Sequence, residues 1–345
     1  MDFFDRLAQS YDRFCVIIND PDLLYENLVQ FSGYPCSIML LAFALESFIP
    51  IPKFLRLSSM HQNIVSLGHK VNKEDNTGQQ NFLSGLFLSI LTIVVALFLL
   101  EILSLISGND VIVVVLVLTL LLEMGKYQKL SQLFFRVINK QDYNFKDKAR
   151  TLIDPELLRE CDNLSVMGMS KALSESVAIN TANRFFAILF WYSILSLEGA
   201  VFVYLVTVLT KAFNIKQKKY IPFGLSIYRI NQAIFFLPNI TIALMLAILS
   251  LHPLIFLNKV LHQIFKYPNL TTAILLSSLG LSLNLKFSGP RFYNKEKVRF
   301  ETLGGDNDPK IDSPLLCMRK IRLCGVIFIA LNIVFYFYNY HVIYY

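Results

Sequence analysis

Residues 175–191 read ESVAINTANRFFAILFW. A run of carboxylate, hydroxyl and amide side chains (Glu175, Ser176, Asn180, Thr181, Asn183) passes without a break into an apolar run long enough to enter a bilayer. Polar groups are costly at a membrane boundary unless they are paired or used. The junction therefore marks a membrane helix and a candidate site at once.

The rest of the chain agrees with a membrane class. Of 345 residues, 54% are hydrophobic and 17% charged, with a mean hydropathy of +0.50, whereas a soluble domain carries roughly 25% charged residues. The formal charge of +7 comes without a basic helix or an aromatic RNA-binding motif, which excludes a nucleic-acid partner. A cytoplasmic excess of Lys and Arg in membrane loops accounts for it. The five cysteines (Cys15, Cys36, Cys161, Cys317, Cys324) have no metal-ligand spacing. His61 and His69 on a polar segment make no metal site on their own. The N-terminus MDFFDRLAQSYDRF lacks the basic start and apolar core of a cleavable signal.

Periodicity and hydropathy predict an all-α, polytopic membrane protein. Residues 1–35 read as an amphipathic extension, followed by a membrane domain over 36–345. Membrane segments are expected near 36–51, 82–107, 111–124, 185–210, 233–258 and 323–343, with helical cytoplasmic lobes at 125–184 and 259–322. The 126–184 region holds ten Lys or Arg and seven Asp or Glu. Together with the 52–81 loop and the Arg319-Lys320-Arg322 cluster, it places the large loops on the cytoplasmic side of a bacterial inner membrane. The basic stretch 211–232 would then fall outside unless 185–209 is re-entrant or broken, and a break is expected at Glu198-Gly199. Glu46, Glu101 and Glu198 sit in apolar segments, where burial against a Lys or Arg is the ordinary reading.

The opening stretch resembles the ESxAENTxDxxxxPLF block of the CobD/CbiB family of cobalamin-biosynthesis membrane proteins. Glu175, Ser176, Ala178, Asn180, Thr181, Leu189 and Phe190 match, while the second Glu, the Asp and the Pro are replaced by Ile179, Asn183 and Ile188. Arg159-Glu160-Cys161 through Leu164, with Lys171 beyond, resembles the family's RDTxxL motif. Leu197-Glu198-Gly199-Ala200 stands where the family has a GGLPGA turn, and the polar positions after it fall on Tyr204, Thr207 and Thr210. Phe223-Gly224, Arg229 and Pro238 follow FGxxxARLDDxxNxIPARL, with the Asp pair replaced by Asn231 and Gln232. Pro268-Asn269, Leu279-Gly280, Gly289-Pro290, Tyr293, Leu303-Gly304 and Asp306 follow the family's last block. The resemblance covers roughly residues 40 to 340.

What it implies is amide formation between the propionate carboxyl of adenosylcobyric acid and the amine of aminopropanol phosphate. Glu175, Asn180 and Glu160 are then the catalytic candidates. Arg159, Lys171, Arg229, Asn269 and Asp306 are candidates for holding a corrinoid or other anionic small molecule. Glu175 and Asn180, five apart, are read as lying near one helix face. The residues themselves identify no cofactor; the resemblance points to ATP and Mg²⁺. Because Ile179, Asn183, Asn231 and Gln232 cannot act as carboxylates, activity is expected to be reduced or lost. An AmpE-like, non-enzymatic membrane modulator is the rival reading, and a transporter a third.

Overall fold

The computed structural model describes residues 34–49, 51, 61–73, 75–107, 110–157, 161, 164–215, 217–293 and 296–343. Arg159, Glu160 and all but the last two residues of the 1–35 extension lie outside the described residues. The chain is overwhelmingly helical, as its periodicity requires. Its helices are α1 (Pro35–Phe48), α2 (His61–Val71), α3 (Gly78–Ser107), α4 (Asp110–Leu121), α5 (Met124–Lys140), α6 (Phe145–Ile153) and α7 (Val166–Thr181). After a π turn (Ala182–Phe186) come α8 (Ala187–Ala212), α9 (Leu225–Ile248), α10 (Pro253–Ile264), α11 (Leu270–Leu283) and α12 (Ser313–Ile343).

Among the described residues, three stretches are long and apolar enough to cross a membrane: Gly78–Ser107, Val166–Ala212 and Leu225–Ile248. The middle one joins α7, the π turn and α8, so the junction quoted at the outset is one continuous helical rod. Ser165 opens it as an N-cap, its hydroxyl accepting from the Gly168 N–H at 3.1 Å, which satisfies one of the donors a helix start leaves free. The rod breaks at Leu195-Ser196, where Ser196 has φ 53°, three residues before the break expected at Glu198-Gly199. Gly199 accommodates the break, because a Cβ there would sit 2.5 Å from that of Leu195 and 2.9 Å from the Trp191 carbonyl oxygen.

Helix α9 tolerates Pro238 in its interior for a specific reason. A proline lacks the N–H that would bond the carbonyl four residues back, here that of Ile234. The chain's single tryptophan supplies the missing donor, Trp191 Nε1 bonding the Ile234 carbonyl at 3.1 Å. The apolar run expected over 233–258 is divided, with α9 ending at Ile248 and α10 starting at Pro253.

Within 259–322 the helical pattern gives way, among the described residues, to two small antiparallel strand pairs that the sequence reading did not foresee. β1 (Lys286–Ser288) pairs with β4 (Thr302–Gly304), Phe287 opposite Leu303, and β2 (Arg291–Tyr293) pairs with β3 (Glu296–Val298). Three-residue strands carry too little periodicity to be seen in sequence. The β1–β4 pair lies on α11, where Gly280 and Gly304 meet so closely that a Cβ on Gly280 would be 2.6 Å from the Gly304 Cα. Gln263 of α10 completes the clasp, donating to the Gly304 carbonyl at 2.9 Å and accepting from its N–H at 2.7 Å.

A large apolar core ties these elements together, with a small separate cluster of Ala187, Val203 and Phe235 between α8 and α9. α7 packs along α12, α9 along α11, and α1 along α4. Gly325 of α12 lets Phe185 approach to where a Cβ would be only 2.3 Å from its ring.

Candidate functional site

The polar half of the α7–α8 rod has two working sides, and they belong to different parts of the molecule. Glu175, four per cent exposed, points to the β lobe, its Oε1 accepting from the Ser288 N–H at 2.6 Å. Ser176, the next residue, points the other way and donates its hydroxyl to the main-chain carbonyl of Glu156 at 3.0 Å. Asn180 stays on the Ser176 side, its amide donating to the Ser176 carbonyl at 2.8 Å and contacting its hydroxyl at 3.1 Å. Glu175 and Asn180 therefore do not share a face: five residues is about 500° of helix, which leaves them about 140° apart.

On the Ser176 side four further elements converge. Glu156 ends the 3₁₀ turn after α6, and its two carboxylate oxygens are held separately: Lys126 Nζ of α5 at 2.7 Å and Lys211 Nζ of α8 at 3.0 Å. The three side chains are 11%, 32% and 23% exposed respectively, so the cluster reaches solvent while its carboxylate is largely enclosed. Burial alone would raise the Glu156 carboxyl, but the ammonium groups of Lys211 and Lys126 outweigh it and hold it below its ordinary value. His61, the first residue of α2, is the fourth member. Burial, helped by the charges of Lys211 and Arg184, keeps its imidazole below the usual value and therefore neutral at pH 7. Its Nε2 is buried and has no hydrogen-bond partner among the described residues.

A deeper ion pair supports this cluster from within. Arg184 is carried into the core by the π turn, whose first carbonyl, Ala182, accepts from the Ala187 N–H five residues on. Its guanidinium bonds Glu123 Oε2, and both side chains are almost wholly buried. The second oxygen of Glu123 accepts from the Tyr204 hydroxyl at 2.8 Å, and the Glu123 N–H bonds the Arg184 carbonyl at 3.3 Å. Single π turns inside α-helices are frequent at functional sites. Next along the chain, Glu46 Oε1 accepts from the Gly125 N–H at 2.6 Å, placing a carboxylate at the positive N-terminus of α5.

The other residues singled out in the sequence fall as follows. Lys171 lies beneath the Gly289 turn, its Nζ 3.5 Å from where a Gly289 Cβ would stand. Asn269 is the N-cap of α11, accepting from Thr272 N–H at 3.0 Å and donating to the Tyr228 hydroxyl at 3.1 Å. Arg229 is exposed on the first turns of α9, and Asp306 is an exposed loop residue whose N–H bonds Asn284 Oδ1 at 3.1 Å. Glu101 and Glu198 are exposed rather than buried in ion pairs. The structure thus brings Lys171 and Glu175 to the β lobe, leaves Arg229 on the surface, and gives Asn269 a capping role.

Sequence reasoning missed the Lys126–Glu156–Lys211 cluster and the Glu123–Arg184 pair. Lys126 and Lys211 each stand just beyond an apolar run, a signal that reads as ordinary flanking charge. Their convergence on Glu156 spans 85 residues of chain and no local pattern encodes it.

The described carboxylates of this cluster, Glu156 and Glu123, do not fit a Mg²⁺ site. Among the described residues no group of three or more His, Cys, Asp or Glu side chains is placed to hold a metal. Glu156 and Glu123 are already neutralised by lysines and arginine, which is the opposite of what a hard cation needs.

Comparison with known proteins adds two findings. The family model described as CobD/Cbib protein matches residues 39–321. The Cobalamin biosynthesis protein CobD of Chromobacterium violaceum is 31% identical over 90 residues, which is 26% of this chain and 29% of the relative. The alignment thus spans under a third of that relative's length. No solved structure matches.

Proposed function

The chain belongs to the CobD/CbiB family, and from that premise we propose that it is a membrane protein of cobalamin biosynthesis that joins a corrinoid carboxyl to the amine of an amino-alcohol phosphate. The observation that carries this reading is the contact between the family motif and the charged cluster. Ser176, which Asn180 braces, donates to the main-chain carbonyl of Glu156, and the carboxylate of Glu156 is gripped by two partly exposed lysines.

Each member of the cluster has a chemical part in such a condensation. A carboxylate with a depressed pKa is a weak base, so Glu156 serves to place Lys126 and Lys211. Their ammonium groups are suited to an anionic substrate group, a propionate or phosphate oxygen. The carboxyl carbon would first be activated by a nucleoside triphosphate co-substrate, the activating group leaving with the carboxyl oxygen as the C–N bond forms. The amine must lose a proton before it can attack that carbon. The neutral imidazole of His61, with an unpartnered Nε2, is the group in the cluster able to accept it. The deeper Glu123–Arg184 pair holds the floor and does not reach the reactants.

A second reading has its own observation. Four positions that are acidic in the family are Ile179, Asn183, Asn231 and Gln232 here, which fits a non-enzymatic, AmpE-like modulator on the same frame. Complementation separates the two. In a strain lacking its adenosylcobinamide-phosphate synthase and fed cobyric acid, the enzyme reading expects growth with the wild type and none with Lys211→Ala present at equal membrane level. No growth with well-inserted wild type would favour the modulator.

A further inference from the structure

Lysines that do not reach Glu156 gather beside the point where α3 enters the membrane. Residues 61–81 and 211–232 together hold seven Lys or Arg against two acids, Glu74 and Asp75, and the fold joins these two stretches. Gly68 of α2 lies against the Phe213 ring with no room for a Cβ. Asn72, just past the helix, donates to the Lys219 carbonyl at 2.9 Å. His69 Nε2 and the Tyr220 hydroxyl are 3.4 Å apart, and the Lys219 ammonium lies 4.8 Å from the centre of the Tyr220 ring. Lys70, Lys73, Lys218 and Lys219 are all exposed on the surface so formed.

The depth of this surface follows from α3. From Phe82 to Leu100 the chain carries no charge over 19 residues, about 28 Å of helix, which matches the hydrocarbon thickness of a bilayer. Phe82 therefore marks the boundary. Asn81, one residue before it, donates to the Lys73 carbonyl at 3.0 Å. Gly85, one turn inside, lies directly against the Phe223 carbonyl, again with no room for a Cβ. Both basic stretches thus meet α3 at the boundary plane. Apolar side chains stand exposed there too: Leu67, one turn before Lys70; Ile221, two residues past Lys219; and Leu83, at the start of the apolar run. A soluble anion has no use for such a flank, whereas a phospholipid presents a phosphate and apolar methylenes side by side at this plane.

The surface also faces the side of the membrane that bears the 126–184 lobe. In a straight helix residues 184 and 204 would be about 30 Å apart. Instead the Arg184 guanidinium is 5.8 Å from the centre of the Tyr204 ring, and Ala187 packs with Val203. The rod therefore folds back at its Leu195-Ser196 break and returns Lys211 to Glu156, on which Ser176 also rests. The basic loop that follows Lys211 emerges on the side from which α7 set out.

We propose that this surface is a binding site for anionic phospholipid in the leaflet on that side. Lys70, Lys73, Lys218 and Lys219 take the headgroup phosphates, and Leu67, Leu83 and Ile221 contact the methylenes below them. Because α2 begins at His61 and the loop begins at Lys211, the same headgroups brace the two segments that carry those residues to Glu156.

The test is native mass spectrometry of the full-length protein released from nanodiscs of mixed phosphatidylglycerol and phosphatidylcholine, read as the ratio of the two lipids retained. The wild type should be enriched in phosphatidylglycerol. Each lysine near an anionic surface is worth about fivefold in affinity, so Lys218→Gln with Lys219→Gln should cut that ratio by about tenfold or more. The corresponding Arg pair should keep it. Leu67→Asn should lower the amount of both lipids retained and leave the ratio unchanged. Lys140→Gln with Lys146→Gln, on the lobe away from α3, should leave the wild-type ratio. Equal ratios in the wild type and the Lys218/Lys219 variant would overturn the proposal. So would an equal loss in the lobe variant, which would show a response to net charge alone. Displacement of the lipid by free glycerol 1-phosphate would make the lysines a site for soluble anions and overturn it as well.

Discussion

Helix α3 and the α7–α8 rod are both apolar enough to cross a membrane, yet they are used in opposite ways. In the most apolar 18-residue window of α3, 6% of residues are buried inside the protein; in that of the rod, 56% are. α3 turns only a narrow stripe inward (Asn81, Gly85, Ser89, Ile93) and leaves Phe87, Leu91, Val94, Phe98 and Leu105 outside. The rod is the less apolar of the two and lies at the centre, carrying Glu175, Thr181, Arg184 and Tyr204 into the interior. In lipid, apolar residues have no hydrophobic drive to bury against one another and gain only packing contacts, whereas polar groups gain a hydrogen-bond partner. The helix with more polar residues is therefore the one the rest of the chain folds around.

This contrast can be broken most sharply at Arg184. Arg184→Ala leaves Glu123 buried without its ion-pair partner, held by the Tyr204 hydroxyl and the more distant charge of Lys126, and is expected to cost about 3–5 kcal/mol. Thermal unfolding in detergent should show the loss, and the double substitution Glu123→Leu with Arg184→Met should recover most of it. If the single and double variants unfold alike, the pair is not what organises the rod.

The next effect concerns pH. The folded values of Glu156 and His61 both lie below their ordinary values of 4.5 and 6.5. A depressed value means that the unfolded chain binds more protons, so stability rises with pH through this window. The His61 contribution is complete above about 6.5 and the Glu156 contribution above about 4.5, and each is lost as pH falls through its folded value. Melting temperature should drop on acidification, and Glu156→Gln should flatten the lower part of that fall. An unaltered acid limb in the variant would show that the lysines do not depend on this carboxylate.

Smaller still is the N-cap of the rod. Ser165→Ala should cost about 1 kcal/mol, and Ser165→Asp, which restores an acceptor, should regain it. The weakest effect is expected on the opposite side of the comparison. Phe98→Leu, on the outer face of α3, should change stability by no more than about 0.5 kcal/mol in the same unfolding assay. A large loss there would mean that the face is covered by protein.

The sequence disclosed helices better than it disclosed contacts. The junction at 175–191 announced a membrane helix with a polar end because its pattern is local and long. Gly280, Gly304 and Asn269 were legible as motif positions, but their reasons, a backbone contact 24 residues apart in chain and a helix cap, needed the fold. Glu175 was correctly singled out as a polar group needing a partner, while its direction was misread, because five residues on a helix nearly reverse a side chain. The π turn was invisible, since it depends on one inserted residue that no composition marks. Tyr204 stood among the polar positions of the resemblance without an evident use, and its bond to Glu123 joins segments 81 residues apart.

The measurement that bears most directly on the lysine cluster as the site of chemistry is product formation by membranes containing the full-length protein. They would be supplied with adenosylcobyric acid, aminopropanol phosphate and an energy source, and read by mass spectrometry. The account predicts adenosylcobinamide phosphate from the wild type and at least about a hundredfold less from Lys211→Ala, the scale of losing an electrostatic contact in the transition state, at unchanged protein level. Equal product from the two, or none from the wild type, would contradict it.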